Sequence, residues 1–299
     1  MHRNKFSVSV VLSLTPTWVI GLFVYVGTLL WSINLSFTNS RFMPSDKYVG
    51  FYQYEKLFHT GRWLVSIENI IIFGVLYIAG CLCLGFVLAA ALDRKVRFEN
   101  TLRTIFLYPY AMSFVVTGVI WQWMLNPTFG IQSVGRSLGW ENFEFNWIVR
   151  PEMAIYTVVI AAIWQGGGLV MVILLSSMKG INHDQWRAAH IEGIPVWRTY
   201  LSIILPQLMP AVSAAAMILG MGVIRTYDLV VALTSGGPGY STEVPAKFIM
   251  DNLFERQNIG LAAAGATVLL VSVLAVIVPM KYVIYQREKL GKVRGKTHA

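Results

Sequence analysis

The chain is short of charge, cysteine and acidic residues. Only 13% of its 299 residues are charged, about half the share of a typical soluble protein, while 56% are hydrophobic. That balance excludes a single soluble domain and points to a polytopic membrane protein. Cys81 and Cys83 both lie inside an apolar stretch, which argues against a disulfide framework and against a zinc site. The histidines stand at 2, 59, 183, 190 and 298, no two at ligand spacing, so no metal site is expected. A nucleotide site is missing too. The tail Gly291-Lys292-Val293-Arg294-Gly295-Lys296-Thr297 resembles a phosphate-binding loop at first sight. It has one residue too few between its glycines and no strand before it. It reads as a basic tail, so the chain is expected to carry no ATP site of its own.

What is present in quantity is apolar sequence. A membrane span needs about 20 mostly apolar residues, and six stretches qualify, roughly 8–35, 68–92, 103–125, 152–178, 206–232 and 259–285. The first follows Arg3 and Lys5 and carries no charge from Phe6 to Ser40. It is too long for a signal-peptide core and lacks a small-x-small cleavage site, so a retained anchor is expected. The net charge of +9 reflects membrane orientation rather than nucleic-acid binding. With both termini inside, fifteen Lys and Arg fall in cytoplasmic segments and eight outside, with Arg225 left in a span. Basic residues sort to the cytoplasmic side, so the expected fold is an all-α integral membrane domain over 1–299, N-in and C-in. The loop at about 179–205 is then cytoplasmic.

Polar residues inside spans are costly and usually face a bundle interior or a watery cavity. Arg225 and Asp228 are three residues apart, which on one helix would put them on one face and let them pair. An internal ion pair and a solute-lining pair both remain open. Trp164 and Gln165 precede Gly166-Gly167-Gly168; the glycines either allow close helix packing or make room for a ligand beside the ring and the amide. Asn69, Tyr108, Gln122 and Asn126 are weaker candidates of the same kind. Pro16 and Pro109 fall within spans and are expected to kink them. Outer-loop aromatics, among them Phe51, Tyr52, Trp63, Trp140, Phe143, Phe145 and Trp147, fit an interfacial belt or a vestibule for sugar.

Two segments have a layout that composition does not explain. The first runs Arg187-Ala188-Ala189-His190-Ile191-Glu192-Gly193, with Tyr200, Ile203, Leu205 and Pro206 following at fixed spacing. Gly193 permits a sharp turn, and Pro206 suits a helix start. This resembles the cytoplasmic coupling loop of permease subunits of ABC importers, whose pattern is E-A-A-x-x-D-G-A, then F-x-x-I-x-L-P. Arg187 stands for the family Glu, Glu192 for Asp, Ile194 for Ala and Tyr200 for Phe. The second is Tyr227-Asp228 followed by Leu233-Thr234-Ser235-Gly236-Gly237-Pro238. It resembles a signature of the larger-type permease of carbohydrate ABC importers, as in maltose and lactose systems. Gly236, Gly237 and Pro238 are expected to stop the helix and turn the chain at the outer face.

The resemblance implies a six-span type I importer permease that is a transport subunit and not an enzyme. It implies a second related permease, two ATP-binding subunits that carry ATP and Mg, and an extracytoplasmic solute-binding protein. No cofactor is expected in this chain. The wording around 186–195 and 228–232 looks closest to permeases for α-glucosides, disaccharides or glucosylglycerol. An sn-glycerol 3-phosphate permease shares the signatures, and a proton-coupled transporter using Asp228 is a further alternative.

Overall fold

The computed structural model describes residues 8–94 and 96–275, without side chains for 8–12, 183 and 190. Arg3, Lys5, Lys95 and the basic residues from Lys281 onward, the last part of the sixth stretch and the 291–297 tail lie outside the described residues. Among the described residues the chain is helical, with isolated β-bridges only at Thr38–Tyr48 and Arg41–Met43.

The order is α1 (Val8–Gly21), a π-helical turn (Leu22–Val26) and α2 (Gly27–Ser36), then α3 (Tyr52–Phe58) and α4 (Gly61–Asp93). Next come α5 (Glu99–Leu107), a 3-10 turn (Tyr108–Ala111), α6 (Phe114–Met124), α7 (Ile131–Ser137) and α8 (Ala154–Lys179). The chain continues with α9 (His183–Ile191), α10 (Val196–Thr199), a π turn (Tyr200–Ile204), α11 (Leu205–Gln207), α12 (Met209–Ile224) and α13 (Tyr227–Thr234). Last are α14 (Pro245–Met250) and α15 (Ile259–Ala275). Three helices are long and apolar enough to cross a membrane, Ser13–Ser36, Gly61–Asp93 and Ala154–Lys179; two bent pairs raise this to five if each is one span.

The first bend falls in the stretch at 103–125, where Pro109 is expected to kink the chain; the second involves the start of the 206–232 stretch, where Pro206 is expected to start a helix. The first pair turns by 100° between Ala111 and Phe114. Pro109 removes one backbone donor, Met112 is extended, and the Ser113 hydroxyl caps α6 by accepting from the Val116 N–H at 3.2 Å. The second pair turns by 74° at Leu208. Pro206 therefore does not start the span's helix. It sits in a helical run begun at Val196, and Pro210 takes the first turn of α12, where its missing N–H has no cost.

The chain divides into two compact units, Met1–Trp63 with Phe248–Ala299, and Leu64–Lys247. In the first, the 37–60 loop is closed by polar contacts. The Gln53 amide donates to the Thr38 carbonyl at 3.0 Å and the Gly260 N–H to the Ser40 carbonyl at 3.0 Å. Arg62 pairs with Asp251. Trp63 is fully buried against Phe248, ring centres 5.2 Å apart, so it is a core residue and not part of an interfacial belt; Phe51 and Tyr52 are exposed.

The second unit is built on α8, which is apolar on nearly every face, as a helix at the centre of a bundle must be. Phe73, Tyr77 and Cys81 of α4 pack with Val158, Ala161 and Ala162 of α8, Leu219 of α12 and Leu229 of α13. The Gly triplet makes this approach possible. A Cβ at Gly166 would fall 2.8 Å from the Tyr77 hydroxyl oxygen, and one at Gly167 would fall 2.8 Å from Leu84 Cδ2. One at Gly168 would collide with the Phe106 carbonyl oxygen. All three are buried, so the triplet is a packing surface and does not open a cavity. Gly168→Ala is expected to cost about 1–3 kcal/mol, as overpacking commonly does, because its neighbour is backbone. Gly220→Ala, with nothing within 4 Å, is expected to leave stability unchanged. Thermal unfolding of the isolated chain in detergent checks the pair, and equal melting temperatures would contradict this packing role.

Candidate functional site

The loop that the sequence singles out folds as a helix of its own. Asn182 accepts from the Asp184 N–H at 2.9 Å at its start, and Asp184 puts an acid in the first turn of α9, where the helix dipole favours it. At its end Gly193 is left-handed, φ +68, and the Ile194 N–H donates back to the Ala189 carbonyl at 3.0 Å. That six-residue return is a Schellman stop, which requires a residue without a Cβ penalty at this position. Ala189 is buried, whereas Ala188, Glu192 and Gly193 are exposed. The Arg187 side chain is 77% exposed and lies 3.6 Å from Asp184. A pair so solvated contributes little to stability, which leaves its charge available to a partner. Ile191 is 84% exposed at the helix end.

The rest of the motif holds this helix from behind. Trp186 packs edge-on against Tyr200 with ring centres 4.9 Å apart, and the Gln207 amide donates to the Gln185 side chain at 2.6 Å. Tyr200 is buried, and its hydroxyl lies 3.1 Å from Asp93 Oδ2 and 3.3 Å from the Ala90 carbonyl, its single proton shared between the two acceptors. Burial, then the Asp93 carboxylate, push the Tyr200 pKa up to about 12, with Arg94 acting the other way. Leu205 is half-buried and Pro206 exposed. Nearby, Lys179 at the end of α8 binds Glu99 at the start of α5, and Arg103 is 3.2 Å from the same carboxylate. The Lys179 hydrogen bond is the main cause that lowers the Glu99 pKa.

The candidate solute residues fall into two groups. Trp164 is 36% exposed and meets Trp121 edge-on at 6.0 Å. Arg225 and Asp228 are exposed and Tyr227 is half-buried. By contrast, Gln165 is 4% exposed and donates to the Met112 carbonyl at 2.7 Å, and Asn69 is 6% exposed and donates to the Glu243 carbonyl at 2.9 Å. Both amide nitrogens are taken up by backbone carbonyls that chain turns leave open, while the buried Gln165 Oε1 has no hydrogen-bond partner among the described residues. Arg225 and Asp228 do not form the expected pair. Helix α12 ends at Ile224, and the Thr226 hydroxyl donates to the Val223 carbonyl at 2.6 Å across the break. The spacing that would align the two on one helix is thereby lost.

At the far end of α13 the helix stops one residue before the glycines. Ser235 is left-handed with φ 53, and the Thr234 and Ser235 hydroxyls donate to the Val230 and Val231 carbonyls at 3.0 and 3.2 Å. Gly236 follows with φ +88 and the Gly237–Pro238 peptide is cis. The Thr242 hydroxyl ties the turn shut, 2.7 Å from that of Thr234 and 3.0 Å from the Gly237 carbonyl. A cavity of about 360 Å³ opens beside it, lined by Gln122, Asn126, Thr234, Ser235, Gly237 and Pro238 among others. Sequence reasoning missed Asp93, Trp186 and Gln207 as parts of the loop's support; only Trp186, within the motif run, carried a local signal. No cluster of metal-ligating side chains occurs among the described residues.

Comparison with known proteins agrees with this geometry. The chain is 37% identical to a probable ABC transporter permease protein of Pyrococcus horikoshii, over 97% of this chain and 100% of that one. It is 32% identical to the xylose/arabinose import permease protein of Haloferax volcanii, over 91% and 86%. Its fold matches a chain of a bacterial ABC transporter involved in the import of the acidic polysaccharide alginate, TM-score 0.77 at 17% identity, over 92% of this chain and 94% of that one. The pattern of the binding-protein-dependent transport system inner membrane components matches residues 81–285, more than half the chain, and the chain belongs to that family.

Proposed function

We propose that the chain is the translocating subunit of an ATP-driven importer for a neutral sugar or sugar-like solute. As a member of its family it is a multi-pass membrane transport component and not an enzyme. The observation that carries the proposal is α9, a short exposed helix with a fixed end and a fixed back, shaped as a docking piece for a separate ATPase. In this reading the chain lies in the inner membrane with both termini in the cytoplasm. Two ATPase subunits bind ATP and Mg and grip α9 and its counterpart on a second, related permease. Closure of the ATPases moves the helix as a rigid lever and switches a central cavity between inward and outward access, a two-state change biased by a remote site. An extracytoplasmic binding protein delivers solute at the outer end, where the cavity beside Gly237 and Pro238 opens.

The solute is read from what lines the path. Trp164 and Trp121 offer aromatic surface suited to the apolar C–H faces of a sugar ring, and Tyr227, Asp228 and Arg225 offer a polar rim. The Haloferax relative is named for pentose import, which supports a carbohydrate. The sequence wording favours α-glucosides, disaccharides or glucosylglycerol. A glycerol phosphate would need a strongly cationic lining, and Arg225 has Asp228 only three residues away.

Three outcomes are expected. In proteoliposomes with the partner permease, ATPases and binding protein, a screen of radiolabelled sugars gives uptake that requires ATP; uptake by this chain alone on a proton gradient would overturn the reading in favour of a secondary transporter. Gly193→Pro, whose ring cannot reach positive φ, abolishes uptake and ATPase stimulation with insertion intact, whereas Gly193→Asn, which tolerates the left-handed region, keeps most of both. Equal behaviour of the two variants would remove the fixed helix end from the mechanism. Since Arg225 and Asp228 do not pair, the charge swap R225D/D228R is no milder in uptake than either single alanine change, and rescue by the swap would show a pair that forms in another state.

A further inference from the structure

The back of the coupling helix reaches a helix to which it is not joined in sequence. Flanking segments connect α9 directly to α8 and to the Val196–Gln207 run. The Tyr200 hydroxyl, however, meets Asp93 at 3.1 Å and the Ala90 carbonyl at 3.3 Å, and both belong to the last turn of α4. The same ring stands edge-on to Phe86 of α4 with centres 6.4 Å apart, and edge-on to Trp186 of α9 at 4.9 Å. One buried side chain thus touches the coupling helix on one side and α4 on the other. The ring accounts for the packing contacts, and the hydroxyl adds the contacts to the end of α4.

We propose that Tyr200 and Asp93 are positioning residues that fasten α4 to the coupling helix, so that displacement of α9 is delivered to α4 as well as to the helices that flank it. The inference rests on the importer reading. Its chemistry is a directional hydrogen bond from a neutral hydroxyl to a side-chain oxygen, 3.1 Å long. It is set beside aromatic contacts that fix the ring. Packing alone resists compression; the hydrogen bond adds resistance to separation, which a lever pulling in both halves of a cycle needs. The α4 end is well placed to transmit the pull, because the same helix packs through Tyr77 and Cys81 on Gly166 of α8.

Tyr200→Phe tests the hydroxyl without disturbing the ring. The reconstituted complex is assayed with the radiolabelled sugar found in the uptake screen, and sugar moved per ATP hydrolysed is measured with the loaded binding protein present. The expected result is a loss of about fivefold in that ratio, the lower end of common site-to-site couplings, with ATP hydrolysis and complex yield retained. Asp93→Ala gives the same loss, the double variant no further loss, and Asp93→Asn, which keeps an acceptor oxygen, stays near wild type. A merely structural role would lower yield and both activities together and leave the ratio unchanged, which overturns the proposal. Full coupling in Tyr200→Phe also overturns it. A wild-type complex that neither hydrolyses ATP nor takes up any sugar would instead overturn the importer reading, and this link with it.

Discussion

Close approach of α8 to its neighbours is the constraint on which the larger unit depends. In lipid there is no water to satisfy a stray carbonyl, so chain breaks are tolerated only where protein covers them. The α5–α6 segment bends by 100° and leaves the Met112 carbonyl outside any helix. Gln165 answers it with a hydrogen bond, and it can do so only because Gly168, one turn along the same helix, lets α8 lie directly on the Phe106 backbone. The triplet and the amide before it are thus one device. Three glycines weaken a helix intrinsically by roughly 1 kcal/mol each, and the contacts they admit offset that cost.

A similar economy appears at the other break. Helix α12 stops at Ile224 and α13 starts at Tyr227, with Thr226 buried between them and donating to the preceding turn. Arg225 and Asp228 are thereby released from helical register and left exposed. A continuous helix would have paired them and neutralised both. The break leaves the two opposite charges exposed and out of helical register with each other. Small residues govern the neighbouring contact as well: a Cβ at Gly118 of α6 would fall 2.6 Å from that of Ala232 in α13.

How much of this could be read in the sequence depends on how local the cause is. The spans that became α4 and α8 were legible because hydropathy acts residue by residue. The helix α9 was legible because its stop needs Gly193 itself, and no other residue takes φ +68 as cheaply. The bend near Pro109 was half legible: the proline signals a weak point, but the turn falls at Met112, where Gln165 arrives from 53 residues away. Pro206 misled because Pro210 lies four residues on, and only packing decides which proline opens the helix. Asn69 and Gln165 read as solute contacts because a polar residue in a span must face something polar. In both cases that something is a backbone carbonyl, which sequence does not mark. The tie between Tyr200 and Asp93 spans 107 residues and had no local sign at all.

That last contact separates what the ring of Tyr200 does from what its hydroxyl does. A phenyl ring at position 200 would keep the edge contacts to Trp186 and Phe86, since these depend on ring faces and edges. The hydroxyl adds a directional bond to a carboxylate at a helix end, where the last carbonyls, Ala90's among them, are short of donors. It satisfies an acceptor of α4 and anchors the loop in one step. On one side α9 presents Arg187 and Ile191 to solvent; on the other, Trp186 meets the buried Tyr200 ring, whose hydroxyl reaches the end of α4, so the two sides of one short helix differ in solvent exposure as well as in chemistry.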